Sequence, residues 1–351
     1  MPPAEAKTLA ERLAGLIAAT GPISLARFMA EANADYYASR DPFGVEGDFI
    51  TAPEISQMFG ELTGLWLADL WSRAGAPANA HYVELGPGRG TLAEDALRAM
   101  RAVRFEPPIH LVETSPVLRA NQASRLSTAR WHDDLDTLPD CGPLFVVANE
   151  FFDALPIRQI RHSPDGWHEI MVDHRDGAFV PITWGPPLDT LVPEPLRDAP
   201  PGSVIETSPA VESTGRALAK RIAEQGGAAL IIDYGYEGLA TGDTLQAVSH
   251  HDHVDIFAEP GERDLTAHVN FSVIERIGRN TGLAVYGPIG QGDWLESLGI
   301  GARTAALAKA APHRQAELIA ARDRLTKADE MGDLFKAMAL VAPDWPPPAA
   351  F

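Results

Sequence analysis

Tyr82-Val83-Glu84-Leu85-Gly86-Pro87-Gly88-Arg89-Gly90-Thr91-Leu92 is the stretch that decides the reading of this chain. A short apolar run ends in a turn with glycine at every second position, and a helix start follows. A second run, Ile109-His110-Leu111-Val112, ends at Glu113. Glycines let a backbone pass very close to a ligand, because no Cβ stands in the way. An acid closing the next strand is placed to accept hydrogen bonds from ribose hydroxyls. Dinucleotide folds use G-x-G-x-x-G, with the pyrophosphate on the helix N-terminus. Here the spacing is G-x-G-x-G, and Glu84 stands two residues before the first glycine. A carboxylate there repels a diphosphate and suits a ligand that carries positive charge, such as the amino group and sulfonium of S-adenosylmethionine. The bland alternative is a tight turn that merely joins a strand to a helix.

Outward from this turn the chain alternates strands and helices. Tyr82–Leu85, Ile109–Val112, Leu144–Ala148 and Ala228–Ile232 read as short strands buried on both faces, as in a parallel sheet. Ala129–His132 is a weaker strand ending at Asp133-Asp134, and Leu283–Tyr286 and Phe335–Val341 add two more. The pattern predicts a doubly wound α/β fold. Before it, helices are predicted over Ala4–Thr20 and from Ser24 toward Tyr36-Tyr37. Thr51-Ala52-Pro53-Glu54 has the form of a capping box, opening a helix with Ile55, Met58, Phe59, Leu62, Leu65 and Trp66 on one stripe. Ile157–His162, Trp167–His174 and Ala178–Trp184 predict an antiparallel meander turned at Asp165-Gly166 and Asp176-Gly177, with a proline-dense linker after it. The expected organisation is a helical cap over 1–80 and a core over 81–155 and 203–351. That core is elaborated by helices in 290–331, and the meander and linker fill 156–202. The segment between Asp233 and Val269 reads as irregular.

Bulk composition narrows the function. A formal net charge of −19 over 351 residues argues against a broad nucleic-acid face. A single cysteine, Cys141, excludes an internal disulfide framework or thiolate cluster. No stretch approaches the length of a transmembrane helix, and the N-terminal residues have neither signal-peptide nor transit-peptide character. The expectation is a cytoplasmic bacterial enzyme that needs no metal. His250-His251-Asp252-His253 reads as a solvated loop, since its spacing fits no helical ligand pair.

Ligands of open parallel sheets sit at the carboxyl ends of the strands, near the point where strand order reverses. Glu84, Gly86, Gly88, Gly90, Glu113, Asp133 and Asn149 are therefore the candidate cofactor residues, and Asp233 shares their rim. The run Asn149-Glu150-Phe151-Phe152-Asp153-Ala154-Leu155-Pro156 follows its strand directly. A bound adenosine would bring its reactive sulfur near Glu150 and Asp153. These two and Glu54 are the candidate catalytic acids; the bland reading of each is a helix cap.

Several motifs resemble a known family. Gly47-Asp48-Phe49-Ile50-Thr51-Ala52-Pro53-Glu54-Ile55-Ser56, Phe59-Gly60-Glu61, the Glu84–Gly90 turn, Asn149–Pro156 and Ile231-Ile232-Asp233-Tyr234-Gly235-Tyr236 are similar to MidA signatures. So are Leu265-Thr266-Ala267-His268-Val269, Gln291-Gly292 and Met331-Gly332. The likeness runs over essentially the whole chain in family order. Ala52, Asn270 and Asn33-Ala34-Asp35 depart from the family pattern. The resemblance implies a class I S-adenosylmethionine-dependent methyltransferase with a Rossmann-like, mostly parallel seven-stranded sheet. It also implies symmetric dimethylation of an arginine on the 49-kDa-type subunit of respiratory complex I, in aid of complex assembly. The expected partner is thus a protein, a subunit of the quinone module, with no nucleic acid and no membrane insertion. A homodimer through the apolar C-terminal strand is a further expectation. A guanidinium is protonated near neutral pH and has no lone pair to offer. Paired carboxylates could localise its charge on one nitrogen and leave another able to attack. Competing readings are a small-molecule methyltransferase, an assembly chaperone that binds S-adenosylmethionine without transfer, and a dehydrogenase.

Overall fold

The computed structural model describes residues 7–39, 51–249 and 252–351. They form two compact units. The first is Met1–Arg40, Asp153–Ser213 and Glu237–His268; the second is Asp41–Phe152, Thr214–Tyr236 and Val269–Phe351.

The first unit opens with α1 (Leu9–Thr20) and α2 (Leu25–Ser39), separated by the two-residue strand β1 (Ile23–Ser24). Thr8 caps α1 in a reciprocal box with Glu11. The second unit continues with α3 (Ala52–Ile55), α4 (Gln57–Arg73), β2 (His81–Leu85), α5 (Thr91–Ala102), β3 (Ile109–Val112), α6 (Pro116–Arg125), β4 (Arg130–His132) and β5 (Leu144–Asn149). The chain then returns to the first unit for β6 (Arg158–Ser163), β7 (Gly166–Arg175), β8 (Ala178–Trp184) and β9 (Val204–Thr207), before α7 (Pro209–Gln225) and β10 (Gly227–Tyr236). Three short strands follow, β11 (Gln246–Ser249), β12 (Asp252–Val254) and β13 (Asp264–Thr266). The last stretch holds β14 (Val269–Asn270), α8 (Phe271–Asn280), β15 (Ala284–Gly290), α9 (Gln291–Ser297), α10 (Ile300–Ala310), α11 (Gln315–Thr326), α12 (Met331–Leu334) and β16 (Phe335–Val341).

The second unit is built on a sheet of order β15-β16-β10-β5-β2-β3-β4, with β14 beside the end of β10. Strands β2, β3, β4, β5 and β10 run parallel, and β16 lies antiparallel between β10 and β15. The seven expected strands are all present, and the fold class is the expected one. Strand order reverses at β2, which has β5 on one side and β3 on the other. That is the switch point at which a ligand crevice opens. β10, β5 and β2 are almost wholly buried, which explains their largely apolar sequences. Helix α4 packs its Met58, Phe59, Leu62 and Trp66 into the same core as Tyr82, Phe145 and Leu230. Gly60 and Gly64 bring α4 onto α5: a Cβ at Gly64 would stand 2.3 Å from the Ala96 carbonyl oxygen. That close packing fixes where α5, and hence the glycine turn, begins.

The two sheet faces carry different polar residues. Tyr82 and Glu84 share one side of β2 by alternation. On the other, His81 Nδ1 lies 3.2 Å from His110 Nε2, His110 Nδ1 lies 2.9 Å from His132 Nε2, and His132 Nδ1 lies 3.0 Å from Thr137 Oγ1. Three adjacent strands are thereby joined by a ladder of imidazoles. Burial, together with the neighbouring imidazoles, holds His110 down at about 4.

The first unit holds an antiparallel sheet of order β1-β7-β6-β9, with β8 on β7. Asp176 and Gly177, both with positive φ, make the two-residue turn between β7 and β8. A second sheet, β12-β11-β13, packs Ala247 and Leu265 into one core with Leu13 and Phe28 of α1 and α2.

Four expectations are corrected here. Helices α1 and α2 fall with the β insertion and not with α4, because their apolar faces are buried against Ile157, Val172 and Leu265. The supposedly irregular stretch before Val269 contains the β11–β13 sheet. In the histidine-rich run, Asp252 and His253 lie in β12 rather than in a loop, and His250 and His251 lie outside the described residues. β16 is buried in mid-sheet, so it offers no free edge for a dimer. The C-terminal tail packs on α4: Trp66 Nε1 donates to the Ala349 carbonyl at 2.9 Å, and Phe351 packs edge-on against Trp66.

Candidate active site

The glycine turn has the conformation its sequence demands. Gly86, Gly88 and Gly90 take φ values of 60°, 52° and 78°, the left-handed region that side chains resist. Space is short as well. A Cβ on Gly86 would come 3.0 Å from the Phe151 ring, and one on Gly90 would come 3.2 Å from Leu126 Cδ1. The turn is pinned by the Gly86 N–H on the Val112 carbonyl at 3.0 Å and the Gly90 N–H on the Pro87 carbonyl at 2.7 Å. It leads directly into α5, whose first free N–H groups face the rim.

Glu84 does not point at this rim as a charged group. It is buried, and its Oε2 accepts the Tyr82 hydroxyl at 2.6 Å. Burial pushes its carboxyl up to about 8, against a smaller downward pull from that hydrogen bond. A carboxyl held near 8 is largely uncharged at neutral pH and does not repel a diphosphate as a charged Glu84 would.

Glu113 sits where the sequence placed it, immediately after β3. Its Oε1 accepts the Ser115 N–H at 2.7 Å and its Oε2 accepts Gln122 Nε2 at 3.2 Å. Burial raises its pKa, and those donors draw it back. Asp133 is set apart. Its side chain is 77% exposed and pairs with Arg119 at 2.6 Å.

Asn149, the last residue of β5, donates from Nδ2 to Glu150 Oε1 at 3.0 Å. Its own Oδ1 is buried without a hydrogen-bond partner among the described residues. A buried acceptor left open at the carboxyl end of a switch-point strand is suited to a ligand's amino group. Glu150 follows with φ of 49°, a strained value for a residue with a side chain. Its Oε1 also accepts the Ala52 N–H at 3.0 Å. Glu150 thus caps α3, a task the sequence had given to Thr51, which makes no side-chain capping bond.

Asp233 holds the turn from below. It is fully buried, and its Oδ2 accepts the N–H groups of Phe151 and Phe152 at 3.2 and 3.0 Å. Glu54 reaches toward the glycine turn instead of closing a box with Thr51. Its Oε1 accepts the Thr91 hydroxyl at 2.5 Å, and its Oε2 lies 3.9 Å from the Arg89 guanidinium. The four-residue α3 is thus held at one end by Glu150 and at the other by the start of α5. Asp153 belongs to the first unit, where it is buried. There the Tyr37 hydroxyl donates to Asp264 at 2.6 Å, and burial with the charges of Asp264 and Asp153 raises the Tyr37 pKa well above its ordinary value. The departures from the family pattern also have structural work: Asn33 bonds the backbone of Ala154 and Leu265, and Asn270 caps α8 through the Ser272 N–H.

The residues present suit S-adenosylmethionine. The glycine turn is a cradle that Cβ atoms would fill, Glu113 offers acceptors for ribose hydroxyls, and Asn149 Oδ1 is an open acceptor for an amine. Among the described residues no group of three His, Cys, Asp or Glu side chains is arranged to hold a metal ion. No helix among them is long and apolar enough to cross a membrane. Sequence reasoning passed over Gln122 and Tyr82. Gln122 lies in a run of mixed polarity with no motif to announce it, and Tyr82 reads only as an apolar residue of the strand before the glycine turn.

Comparison with known proteins bears on this site. Residues 62–289 match a family described as "Putative S-adenosyl-L-methionine-dependent methyltransferase". The chain is 38% identical over 376 aligned positions to a fruit fly (Drosophila melanogaster) protein named "Protein arginine methyltransferase NDUFAF7 homolog, mitochondrial", covering 95% of this chain and 84% of that one. It is 34% identical to the human protein arginine methyltransferase NDUFAF7, mitochondrial, covering 93% and 81% respectively. A crystal structure from Burkholderia thailandensis, described as a COG1565 superfamily member and likely methyl transferase bound to S-adenosyl-homocysteine, superposes with a TM-score of 0.85. It is 28% identical and covers 97% of this chain and 93% of that one. The mitochondrial names of the curated relatives overturn the expected placement in a bacterial cytoplasm.

Proposed function

The chain belongs to this family of S-adenosyl-L-methionine-dependent methyltransferases, and we propose that its methyl acceptor is an arginine side chain of a protein. The observation that carries the proposal is Glu150. It stands at the end of β5 beside the glycine turn, in a left-handed conformation that Asp233 enforces through the two N–H groups that follow. Strain of this kind persists only where the surroundings over-determine it, and it clusters at functional sites. A cationic guanidinium needs a carboxylate fixed in place, and Glu150 is fixed by Ala52 and Asn149. When bound, S-adenosylmethionine supplies a methyl group already activated on sulfonium. The chain's own residues then have three tasks. Gly86, Gly88 and Gly90 admit the cofactor backbone-close, and Glu113 and Asn149 orient its ribose and amine. Glu150 would hold the arginine so that one nitrogen could attack the methyl in line, the C–N bond forming as the methyl–sulfur bond breaks and that nitrogen giving up one N–H proton. Glu54 is a candidate for a supporting part in that grip.

The names of the relatives and the resemblance to the MidA family support a finer proposal, that the acceptor is the 49-kDa-type subunit in the quinone module of respiratory complex I. The test compares intact masses of the quinone-module subunits from wild-type cells, deletion cells and deletion cells carrying Glu150→Gln. We expect one subunit to lack a pair of methyl groups in the deletion and in the variant. Identical masses for every subunit in wild-type and deletion cells would remove this acceptor. Methylation that persists in Glu150→Gln would remove Glu150 from the chemistry.

A further inference from the structure

Gln122 lies on α6, seven residues after the Ser115 that caps this helix through the Leu118 N–H. Its side chain is fully buried, and both amide N–H donors and the amide oxygen are engaged. Nε2 donates to the Gly88 carbonyl at 2.7 Å and to Glu113 Oε2 at 3.2 Å, while Oε1 accepts Trp131 Nε1 at 2.7 Å. The amide orientation is fixed by these partners, since the Gly88 carbonyl can only accept and the Trp131 indole can only donate. One side chain therefore spans the middle of the glycine turn, the acid at the end of β3 and the indole in β4. Helix α6 holds Glu113 at two further points, through the Ser115 N–H on its carboxylate and Arg119 Nε on its carbonyl at 2.7 Å.

We infer that Gln122 is a positioning residue for the cofactor, setting the distance and orientation between the glycine turn and the ribose-binding acid. The inference rests on the reading that Glu113 receives the ribose. The turn and the acid come from different strands, and backbone pairing of β2 with β3 fixes their ends but not the Glu113 side chain. Ser115 holds one carboxylate oxygen of Glu113 and Gln122 the other, so the orientation of the side chain is set by α6. An amide is suited to this bridge because it donates twice from one nitrogen without adding charge beside the ribose. Gln122→Met keeps the volume and removes the bridge, leaving the Gly88 carbonyl and Trp131 N–H without it.

Calorimetric titration of the full chain with S-adenosylhomocysteine tests this. For Gln122→Met we expect Kd to rise about tenfold to a hundredfold, the scale set by one or two buried hydrogen bonds. KM for S-adenosylmethionine should rise in parallel, with kcat at saturating cofactor within about twofold of wild type, since uniform binding is what is lost. A purely structural role gives the opposite split: fewer binding sites per molecule and lower kcat, with Kd and KM of the folded fraction unchanged. That result would overturn the inference. Should Gln122→Met not fold, Trp131→Phe removes only the donor that orients the amide. A Kd increase of about threefold is expected there, from one weakened hydrogen bond; an unchanged Kd counts against the inference. Glu113→Gln separates the two readings. If it binds S-adenosylhomocysteine as wild type does, the ribose assignment fails. If it loses affinity while Gln122→Met keeps it, only the Gln122 inference fails.

Discussion

Two neighbouring strands of the central sheet end in turns built on opposite plans. The turn after β2 is bare. Its three glycines present backbone alone, and it is held from outside by Gln122 and the Val112 carbonyl. The turn after β5 is crowded. Glu150 and two phenylalanines fill it, Glu150 is strained, and Asp233 holds it from beneath with a buried carboxylate. The first arrangement leaves space for a ligand's backbone-close approach. The second spends its hydrogen bonds on fixing one side chain. We read this difference as a division of labour between cofactor binding and acceptor binding, and it can be broken from either side.

The largest effect is expected at Asp233. Asp233→Ala leaves the Phe151 and Phe152 N–H groups buried and unpaired, at a cost of about 2–4 kcal/mol in denaturant unfolding. Methyl transfer should fall by about a thousandfold, as for loss of a preorganised site, while S-adenosylhomocysteine affinity changes little. Gly88→Ala should do the reverse. Its left-handed φ costs about 1–2 kcal/mol with a Cβ present, and cofactor Kd should rise about a hundredfold. Equal losses of affinity in both variants, measured by calorimetry, would erase the distinction between the turns.

Smaller effects sharpen the comparison through pH. Glu84 underlies the bare turn with its carboxyl raised to about 8. A raised carboxyl means the folded chain holds the proton more tightly than the unfolded one. Its stability contribution is therefore full below the unfolded value and is lost as pH rises through about 8. Glu84→Gln keeps the acceptor for Tyr82 and removes the titration. Thermal melts at pH 9 should show the variant more stable than wild type by about 2–4 kcal/mol, with the gap closing toward pH 5. A constant gap would count against the buried placement. The smallest effect belongs to the histidine ladder on the other sheet face. His110 is depressed to about 4, so its contribution is present above the unfolded value near 6.5 and lost as pH falls through about 4. His110→Asn should flatten the acid limb of the stability curve by about 1–2 kcal/mol, a modest share of the full linkage. An unaltered acid limb would show that the ladder does not titrate with folding.

The sequence made the frame legible because both signals in it are local. Buried parallel strands are continuous apolar runs, and the glycine turn needs glycine at fixed positions, so the sheet and the cradle could be read directly. Glu113 was legible for the same reason, as an acid that ends a strand. The failures share a cause, since each turned on a partner distant in the chain. Glu84 was read as a charged rim acid because burial and the Tyr82 hydroxyl are tertiary facts. Thr51 and Glu54 have a capping-box spacing, yet Glu150 supplies the cap and Glu54 bonds Thr91. Asp133 ends a strand as Glu113 does, but unlike Glu113 its side chain is exposed, with Arg119 as its ion-pair partner. Gln122 carries no pattern, because its role exists only once three strands and a helix are assembled.

The account rests on the bare turn and Glu113 together holding the cofactor, with Glu150 set apart for the acceptor. A crystal structure of this chain with S-adenosylhomocysteine tests it most directly. The account predicts the ribose hydroxyls on the Glu113 carboxylate, the Gln122 bridge to Gly88 intact, and the Glu150 carboxylate free of the ligand's ribose. A nucleoside seated away from Glu113, or a Gln122 side chain withdrawn from Gly88 while the ligand is bound, would contradict it.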